Sequence, residues 1–197
     1  MQQELIDLLA PRNGHFRFES GHHGDLWLDA ESLFLKPALL RGIVGELAER
    51  ISRHDADALC GPLAEGAFVA QMMADRLDLE FYYSARIADP PTDTLYSVQY
   101  RIPDALRGRI GGKRVVVVDD VINAGSAVRA TYADLHACGA RPVAIAALLV
   151  LGSSASSFAS EKCVPLEAIA HLPNRLWAPS ACPLCGARIP LENPAIR

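Results

Sequence analysis

Two adjacent carboxylates stand where a run of valines ends. Residues 115–118 are four consecutive valines, and Asp119 and Asp120 follow them directly. An unbroken β-branched run predicts a strand buried on both faces, and the ligands of open parallel sheets lie at the carboxyl ends of the strands. There, paired carboxylates can accept hydrogen bonds from the vicinal hydroxyls of a sugar.

The turn after the carboxylates has the composition of an anion site. It leads into a predicted helix over residues 127–138, and its members are Asn123, Ala124, Gly125, Ser126 and Ala127. Small side chains let backbone N–H groups approach an anion, and a helix N-terminus adds positive potential. Together, carboxylates for a diol and amides for a phosphate predict a ribose 5-phosphate site.

Other interpretations of this stretch fit less well. An ordinary strand-to-helix turn with a capping aspartate explains one aspartate better than two. A P-loop is excluded because no Gly-Lys-Ser/Thr follows, and a dinucleotide fingerprint is excluded because the stretch contains no GxGxxG.

A second loop lies earlier in the chain, between a predicted strand at 56–60 and a predicted helix at 67–77. Its residues are Gly61, Pro62, Leu63, Ala64, Glu65 and Gly66. Alone, the loop is equally compatible with a plain turn, although its two glycines permit unusual backbone geometry.

The elements that must position these loops alternate between helical and strand patterns. Helices are predicted at 5–10, 37–53, 67–77, 127–138 and 154–162, and strands at 15–18, 26–28, 56–60, 80–84, 113–118, 143–151 and 166–170. This alternation predicts an α/β fold with a parallel central sheet flanked by helices. Residues 86–112 hold three prolines and show no helical period, so we expect a long functional loop with a possible hairpin at 95–102.

Composition limits the possible partners. The 197 residues are 50% hydrophobic and carry a formal net charge of −4. A chain without a basic excess is not expected to bind nucleic acid or an anionic membrane surface. The longest apolar run, 143–151, is about half of the roughly 20 residues that span a bilayer. We therefore expect a single cytoplasmic domain over residues 1–197.

The stretch VVVVDDVINAGSA, residues 115–127, resembles the signature of the type I phosphoribosyltransferases for 5-phosphoribosyl 1-diphosphate (PRPP). The resemblance implies that Asp119 and Asp120 hold the ribose hydroxyls and that residues 123–127 wrap the 5-phosphate. It also implies that the 61–66 loop binds the diphosphate, through Gly61, Pro62, Leu63, Glu65 and Gly66. Mg²⁺ bound with PRPP, a nitrogenous base as the second substrate and a homodimer follow from the same resemblance.

Two further stretches resemble the orotate phosphoribosyltransferases, in particular their Thermus-type branch. These stretches are HFRFESGHHGDLWLD at 15–29 and CPLCGARIPLENPAIR at 182–197. The resemblance implies that residues 1–35 and 170–197 form a hood over the base, with Phe18, Ser20 and His22 nearest to it. It also implies a mobile active-site loop over residues 85–112. The activity implied is transfer of 5-phosphoribosyl to orotate.

Some positions depart from that family pattern. The loop contains no lysine or histidine, so Arg86, as the match to a diphosphate-binding arginine, and Arg101 are the cationic candidates for catalysis. Glu19 replaces a frequent lysine, and Leu151, Gly152 and Ser153 occupy the place where many orotate enzymes carry Asp-Arg. The alternatives are therefore a phosphoribosyltransferase for another base, or a regulatory protein that binds PRPP or a nucleotide without catalysis.

The tail carries one further pattern. Cys182 and Cys185 have the CxxC spacing of half a zinc site. His171 and Cys163 could complete the site only if the fold brings them close. The pattern favours a structural knuckle, metal-free or metal-bound, since the proline-rich tail does not suit a redox motif.

Overall fold

The computed structural model describes residues 1–18, 20–87 and 98–193. In chain order, its helices and strands are α1 (Gln2–Leu8), β1 (Arg12–Arg17), β2 (His23–Trp27), α2 (Pro37–Ile51), β3 (Ala58–Pro62), α3 (Glu65–Leu77), β4 (Glu80–Ile87), β5 (Gln99–Arg101), α4 (Asp104–Ile110), β6 (Arg114–Ile122), α5 (Ser126–Ala137), β7 (Arg141–Leu151), α6 (Ser154–Glu161), β8 (Leu166–Leu172), β9 (Leu176–Trp177) and α7 (Pro183–Gly186). Short 3₁₀ turns lie at Glu31–Leu35, Ser52–His54 and Pro179–Ala181.

The central sheet has the strand order β5-β4-β3-β6-β7-β8. Its neighbouring strands pair in parallel except β5, which runs antiparallel to β4. This confirms the predicted α/β fold with a mostly parallel sheet between helices.

The valine run of β6 lies at the centre of the core. Val116 and Val118 pack in the apolar cluster that contains the inner faces of α2 and α3. Val115 and Val117 pack in the cluster on the opposite face, with α5 and α6. Successive side chains of a strand point to opposite faces, so a strand between two helical layers needs apolar residues at every position.

Two predicted boundaries at the loops are wrong by a few residues. β6 does not end before Asp119 but continues to Ile122, because its ladder with β7 extends through the pairs Asp119–Ala147 and Ile122–Val150. β3 likewise extends to Pro62 and α3 already begins at Glu65. The 61–66 segment is therefore a strand end, a two-residue link and a first helical turn.

The prediction that residues 86–112 lack regular structure is also wrong in part. The first residues belong to β4, residues 99–101 form β5, and α4 occupies 104–110. Tertiary contacts hold this short helix: Asp134 accepts hydrogen bonds from Ile102 N at 2.7 Å and from Arg107 at 2.7 Å. A helix of two turns shows too few repeats for periodicity to reveal it. Residues 88–97, which include residues 95–97 of the predicted hairpin at 95–102, lie outside the described residues.

A second, smaller sheet joins the two ends of the chain. β1 and β2 form an antiparallel pair, and β9 adds to β2 through His23–Trp177 and Gly24–Leu176. Glu192 forms a bridge with Phe16. We call this three-stranded sheet and its bridge to Glu192 the hood, since it unites the terminal segments for which the family resemblance implies that role. None of the helices in the described ranges is both long and apolar enough to cross a bilayer.

An ion pair ties the central sheet together at the end opposite the loops. Arg114 donates to the Asp57 carboxylate from its backbone N at 2.8 Å and from its guanidinium at 2.9 and 3.2 Å. Asp57 N donates to Arg114 O at 2.8 Å, and Glu80 N donates to Asp57 O at 3.4 Å. These contacts join the starts of β3, β4 and β6.

We expect Asp57→Asn to lower the urea midpoint of unfolding near neutral pH. The hydrogen bonds from Arg114 lower the pKa of Asp57 to about 2, below its unfolded value of about 3.9. The ion pair therefore contributes stability above pH 4, and this contribution is lost as the pH falls towards 2. The gap between wild type and variant should close over that range in pH-dependent urea titrations.

Asp55→Asn is the matched control, because Asp55 contacts the same guanidinium but its side chain is 84% exposed. It should change the midpoint less than Asp57→Asn at neutral pH. An Asp57→Asn effect that does not shrink between pH 4 and pH 2 contradicts the role given to this carboxylate.

Candidate active site

A cleft of about 790 Å³ opens between the carboxyl edge of the central sheet and the hood. The sheet side contributes Glu65, Asp120, Val121, Asn123 and Leu151. The opposite wall comes from the N-terminal segment and consists of Ala10, Arg12, Phe18, Leu26, Trp27, Leu28, Asp29, Ala30, Glu31 and Ser32.

A smaller cleft of about 220 Å³ adjoins the first at the start of α5. It is lined by the whole predicted anion turn, residues 123–127, together with Asp119. Phe18, Trp27, Val121 and Asn123 line both clefts, so the two form one continuous site.

The two carboxylates at the end of β6 are buried, with exposed fractions of 8% for Asp119 and 9% for Asp120. Asp120 N donates a hydrogen bond to Asp119 Oδ1 at 3.1 Å. Burial raises the pKa of Asp120, and the nearby Glu65 carboxylate raises it further. This end of the sheet therefore holds concentrated negative charge that hydroxyl donors or a cation would stabilise.

The 61–66 segment packs directly against these carboxylates. A Cβ at Gly66 would lie 2.4 Å from Asp119 Oδ1, and one at Gly61 would lie 2.3 Å from Gly66 O. Leu63 N donates to Ser84 O at 2.8 Å, and the peptide bond between Leu63 and Ala64 is cis. Glu65 is the residue of the segment that lines the larger cleft.

The anion turn is held in place from two sides. Gly125 has a φ of +80°, a conformation that favours glycine, and it immediately precedes the first residue of α5, Ser126. Ser154 Oγ donates to Ala124 O at 2.7 Å. Asn174 Nδ2 donates to Asn123 Oδ1 at 2.7 Å. The contact from Asn174, which follows β8, joins residues 51 apart and carried no signal in the sequence.

The three predicted base-binding residues have different positions. Phe18 lines both clefts, and its ring stacks on Trp27 with centroids 6.2 Å apart. Ser20 is buried and lines the smaller cleft. His22 lines neither cleft; its Nδ1 instead shares a hydrogen bond of 3.0 Å with Ser20 Oγ. Burial lowers the pKa of His22.

The two predicted catalytic arginines are not brought into the clefts. Arg86 and Arg101 lie exposed on β4 and β5, at the edge of the central sheet. Arg101 forms an ion pair with Asp104 at 3.0 Å. The strand order explains these positions, because β5 is the edge strand, β4 pairs with it, and β3 separates both from β6 and its carboxylates. Glu19 lies outside the described residues.

Two cationic residues that sequence reasoning missed line the site instead. Arg12 lines the larger cleft and forms an ion pair with Glu192 at 3.1 Å, while Arg17 lines the smaller one. They begin and end β1. The sequence signal that could have identified them is the basic residue at each end of the segment that carries Phe16.

The tail cysteines lie elsewhere in the hood. Cys182 and Cys185 meet His15 and His23, and none of the four lines either cleft. The sequence proposed His171 or Cys163 as their partners. The group found among the described residues contains neither, because β1 and β2 carry their histidines to the tail.

Comparison with known proteins agrees with this geometry. Residues 30–167 match the phosphoribosyl transferase domain family. The orotate phosphoribosyltransferase of Caldanaerobacter subterraneus subsp. tengcongensis is 26% identical over 195 residues, which are 98% of this chain and 95% of the relative.

Two solved structures share the fold. The orotate phosphoribosyltransferase from Aeropyrum pernix has a TM-score of 0.66 at 24% identity, covering 86% of this chain and 92% of that one. The adenine phosphoribosyltransferase from Thermoanaerobacter pseudethanolicus has a TM-score of 0.67 at 18% identity, covering 86% and 99%. With buried paired carboxylates, an anion turn and a family match over most of its length, this chain belongs to the phosphoribosyl transferase domain family.

Proposed function

We propose that this phosphoribosyltransferase transfers the 5-phosphoribosyl group of PRPP to orotate, forming orotidine 5′-phosphate and diphosphate in pyrimidine nucleotide biosynthesis. The observation that carries the proposal is the junction of the two clefts. There, buried carboxylates, an anion turn and an aromatic wall face one continuous space. Support for orotate comes from the relative of that name, which matches nearly the full length of both chains.

In this proposal, different residues bind different parts of PRPP. Asp119 and Asp120 accept hydrogen bonds from the ribose 2- and 3-hydroxyls, and the amides of residues 123–127 bind the 5-phosphate. The 61–66 segment, beside Asp119, binds the diphosphate. A base nitrogen attacks C1 of the ribose while the bond from C1 to the diphosphate oxygen breaks; the electron pair of that bond leaves with diphosphate, and the proton lost by the base nitrogen passes to the diphosphate or to solvent. The protein contributes orientation and electrostatic stabilisation of the charge that develops.

The carboxylates also suit the Mg²⁺ that accompanies PRPP in this proposal. Hard divalent cations prefer carboxylate oxygens, and Asp119, Asp120 and Glu65 concentrate such oxygens at the cleft. The raised pKa of Asp120 fits a site with excess negative charge that a cation would offset. When bound, Mg²⁺ supplies positive charge to the diphosphate. The side chains that would hold it are those of Asp120 and Glu65, with Asp119 next to them.

A second candidate is transfer to a neutral base. The larger cleft is lined by four carboxylates, those of Asp29, Glu31, Glu65 and Asp120, but by one described cationic side chain, Arg12. Leu151 lines the cleft where many orotate enzymes carry a charged pair. This balance of charge favours an uncharged acceptor, whereas Arg12 offers the contact that an anionic one requires.

The homodimer and the cytoplasmic location remain predictions. Apolar side chains on the surface support the first of them. Leu35 is 80% exposed and Leu39 is 51% exposed, and Phe68 at 44% contacts Phe34 of the neighbouring turn. Exposed apolar residues of this kind are typical of subunit interfaces.

A panel of bases tests the proposed function. With PRPP and Mg²⁺ present, we expect diphosphate release with orotate, measured by a coupled diphosphate assay and by chromatography of the nucleotide product. Asp120→Asn should lower the rate about 10²-fold, because an amide replaces the ionised acceptor for a ribose hydroxyl. Release with adenine or uracil but not orotate would favour the second candidate. PRPP binding without turnover on any base contradicts both and favours a regulatory protein.

The close contact between Gly66 and Asp119 provides a second test. In Gly66→Ala, the new Cβ would lie 2.4 Å from Asp119 Oδ1 and 2.9 Å from Pro62 Cδ, so the carboxylate must move. We expect kcat/KM for PRPP to fall about 10²-fold, as for other displaced catalytic groups. Gly108→Ala is the control, since nothing lies within 4 Å of its Cβ and α4 tolerates alanine. Unchanged kinetics of Gly66→Ala would separate this glycine from the site.

Arg12 distinguishes an anionic acceptor from a neutral one. If orotate is the acceptor, Arg12→Gln should raise its KM about tenfold or more, with little change in the KM for PRPP, since a charge-assisted hydrogen bond is lost. Glu192→Gln removes the other half of the ion pair and is the control for packing of the tail. Steady-state kinetics with both substrates varied measure the two constants. Equal effects of the two variants would mean that Arg12 acts only through Glu192.

A further inference from the structure

Four potential metal ligands converge in the hood. One ligand atom from each of His15, His23, Cys182 and Cys185 lies within 4.8 Å of every other. His15 belongs to β1 and His23 to β2, while the cysteines flank the start of α7. We infer that these four side chains form a structural Zn²⁺ site, distinct from the site of phosphoribosyl transfer.

Four of the six distances between the ligand atoms are close to those around a tetrahedral ion, and the other two are no longer than 4.8 Å. His15 Nε2 lies 3.2 Å from His23 Nδ1 and 3.4 Å from Cys182 Sγ. Cys185 Sγ lies 3.8 Å from His15 Nε2 and 3.3 Å from His23 Nδ1. Zinc bonds of about 2.0–2.1 Å to nitrogen and about 2.3 Å to sulfur place tetrahedral ligands about 3.3–3.8 Å apart. A central ion therefore fits with only small side-chain shifts.

The second nitrogen of His15 fixes which ring atom faces the ion. Nδ1 of His15 lies 2.9 Å from Ile189 O, a carbonyl that can only accept a hydrogen bond. Nδ1 must then carry the proton, which leaves the Nε2 lone pair directed at the two cysteines and His23. Metal-binding histidines commonly have this arrangement, with a carbonyl behind the ring that sets the tautomer.

The donor set selects the metal and the type of site. Two thiolates and two imidazoles in tetrahedral arrangement are the ligands of structural zinc. Four protein ligands leave no open position for a substrate. His15, His23 and Cys182 are buried, whereas Cys185 is exposed and provides the route for loading.

Zinc would join parts of the chain that are far apart in sequence. Cys182 is 167 residues from His15, and Cys185 is 162 residues from His23. The backbone of Glu192 also contacts β1: Arg17 N donates to Glu192 O at 2.9 Å, and Glu192 N donates to His15 O at 2.7 Å. A closed metal site at this seam would hold the tail on the hood and β1 against β2.

Metal content tests this inference independently of activity. Protein produced without an affinity tag and purified without chelator should contain one zinc per chain by plasma mass spectrometry. Cys182→Ser and Cys185→Ser should each bring the content close to zero after dialysis. Cys163→Ser and Cys138→Ser are the matched controls, since neither thiol belongs to the cluster, and both should retain one zinc.

Cobalt substitution keeps the test valid if a serine variant fails to fold. Reduced wild-type protein stripped of metal and loaded with Co²⁺ should show the visible bands of tetrahedral cobalt and a thiolate-to-cobalt charge-transfer band. A wild-type protein with neither bound zinc nor these bands overturns the inference, as does a Cys182–Cys185 disulfide in freshly isolated protein or a Cys163→Ser variant that loses its zinc.

A consequence for catalysis, which rests on the proposed function, can be measured separately. Phe18 and Trp27 of the hood wall lie near the histidines in sequence, so loss of zinc should raise the KM for the base more than the KM for PRPP. If the protein binds zinc but its removal changes both KM values equally or not at all, the result counts against the role of the hood, whereas absence of zinc from the wild-type protein counts against the metal site.

Discussion

The burial of two carboxylates at the end of β6 is the constraint on which the rest of the site depends. Removing a carboxylate from water is costly unless donors or cations replace the lost hydration. The protein supplies some of this replacement, through the amide of Asp120 and the N-terminus of α5 beside it. Burial raises the pKa of Asp120, and the hydrogen bonds that its carboxylate accepts offset this only in part. Under the proposed function, the ribose hydroxyls of PRPP and a divalent cation would supply the remaining compensation.

Packing around β6 also explains which parts of the fold could be predicted from the sequence. Val117 and Val118 must both be apolar because helices cover both faces of β6, so the strand and the acids after it are visible locally. The helix α4 is not, since its position depends on Asp134, a residue of α5. The pairing of β9 with β2 likewise joins segments about 150 residues apart, and nothing local specifies that register.

The two neighbouring histidines show that a difference of one position in the chain decides which side chain belongs to a site. The sequence singled out His22 in the turn, yet the structure places His22 on Ser20 and its neighbour His23 among the cysteines. His22 still belongs to the turn before β2, where it contacts Ser20, whereas His23 is the first residue of the strand and pairs with Trp177. The CxxC motif was recognisable, but its partners were too distant in sequence to be inferred, and His171 and Cys163 were the wrong candidates.

The family match includes the residues on one side of the cleft but not most of those on the other. It covers residues 30–167, which include the anion turn, both aspartates and the 61–66 segment. Phe18, Trp27 and Arg12 of the opposite wall precede it, and Cys182 and Cys185 follow it. Solved structures named for orotate and for adenine share the fold of the common part. A core that binds a phosphorylated ribose needs the same groups whatever the base, whereas the wall that faces the base can vary. Selectivity for the base is therefore expected to reside in the two ends of the chain, where the hood joins them.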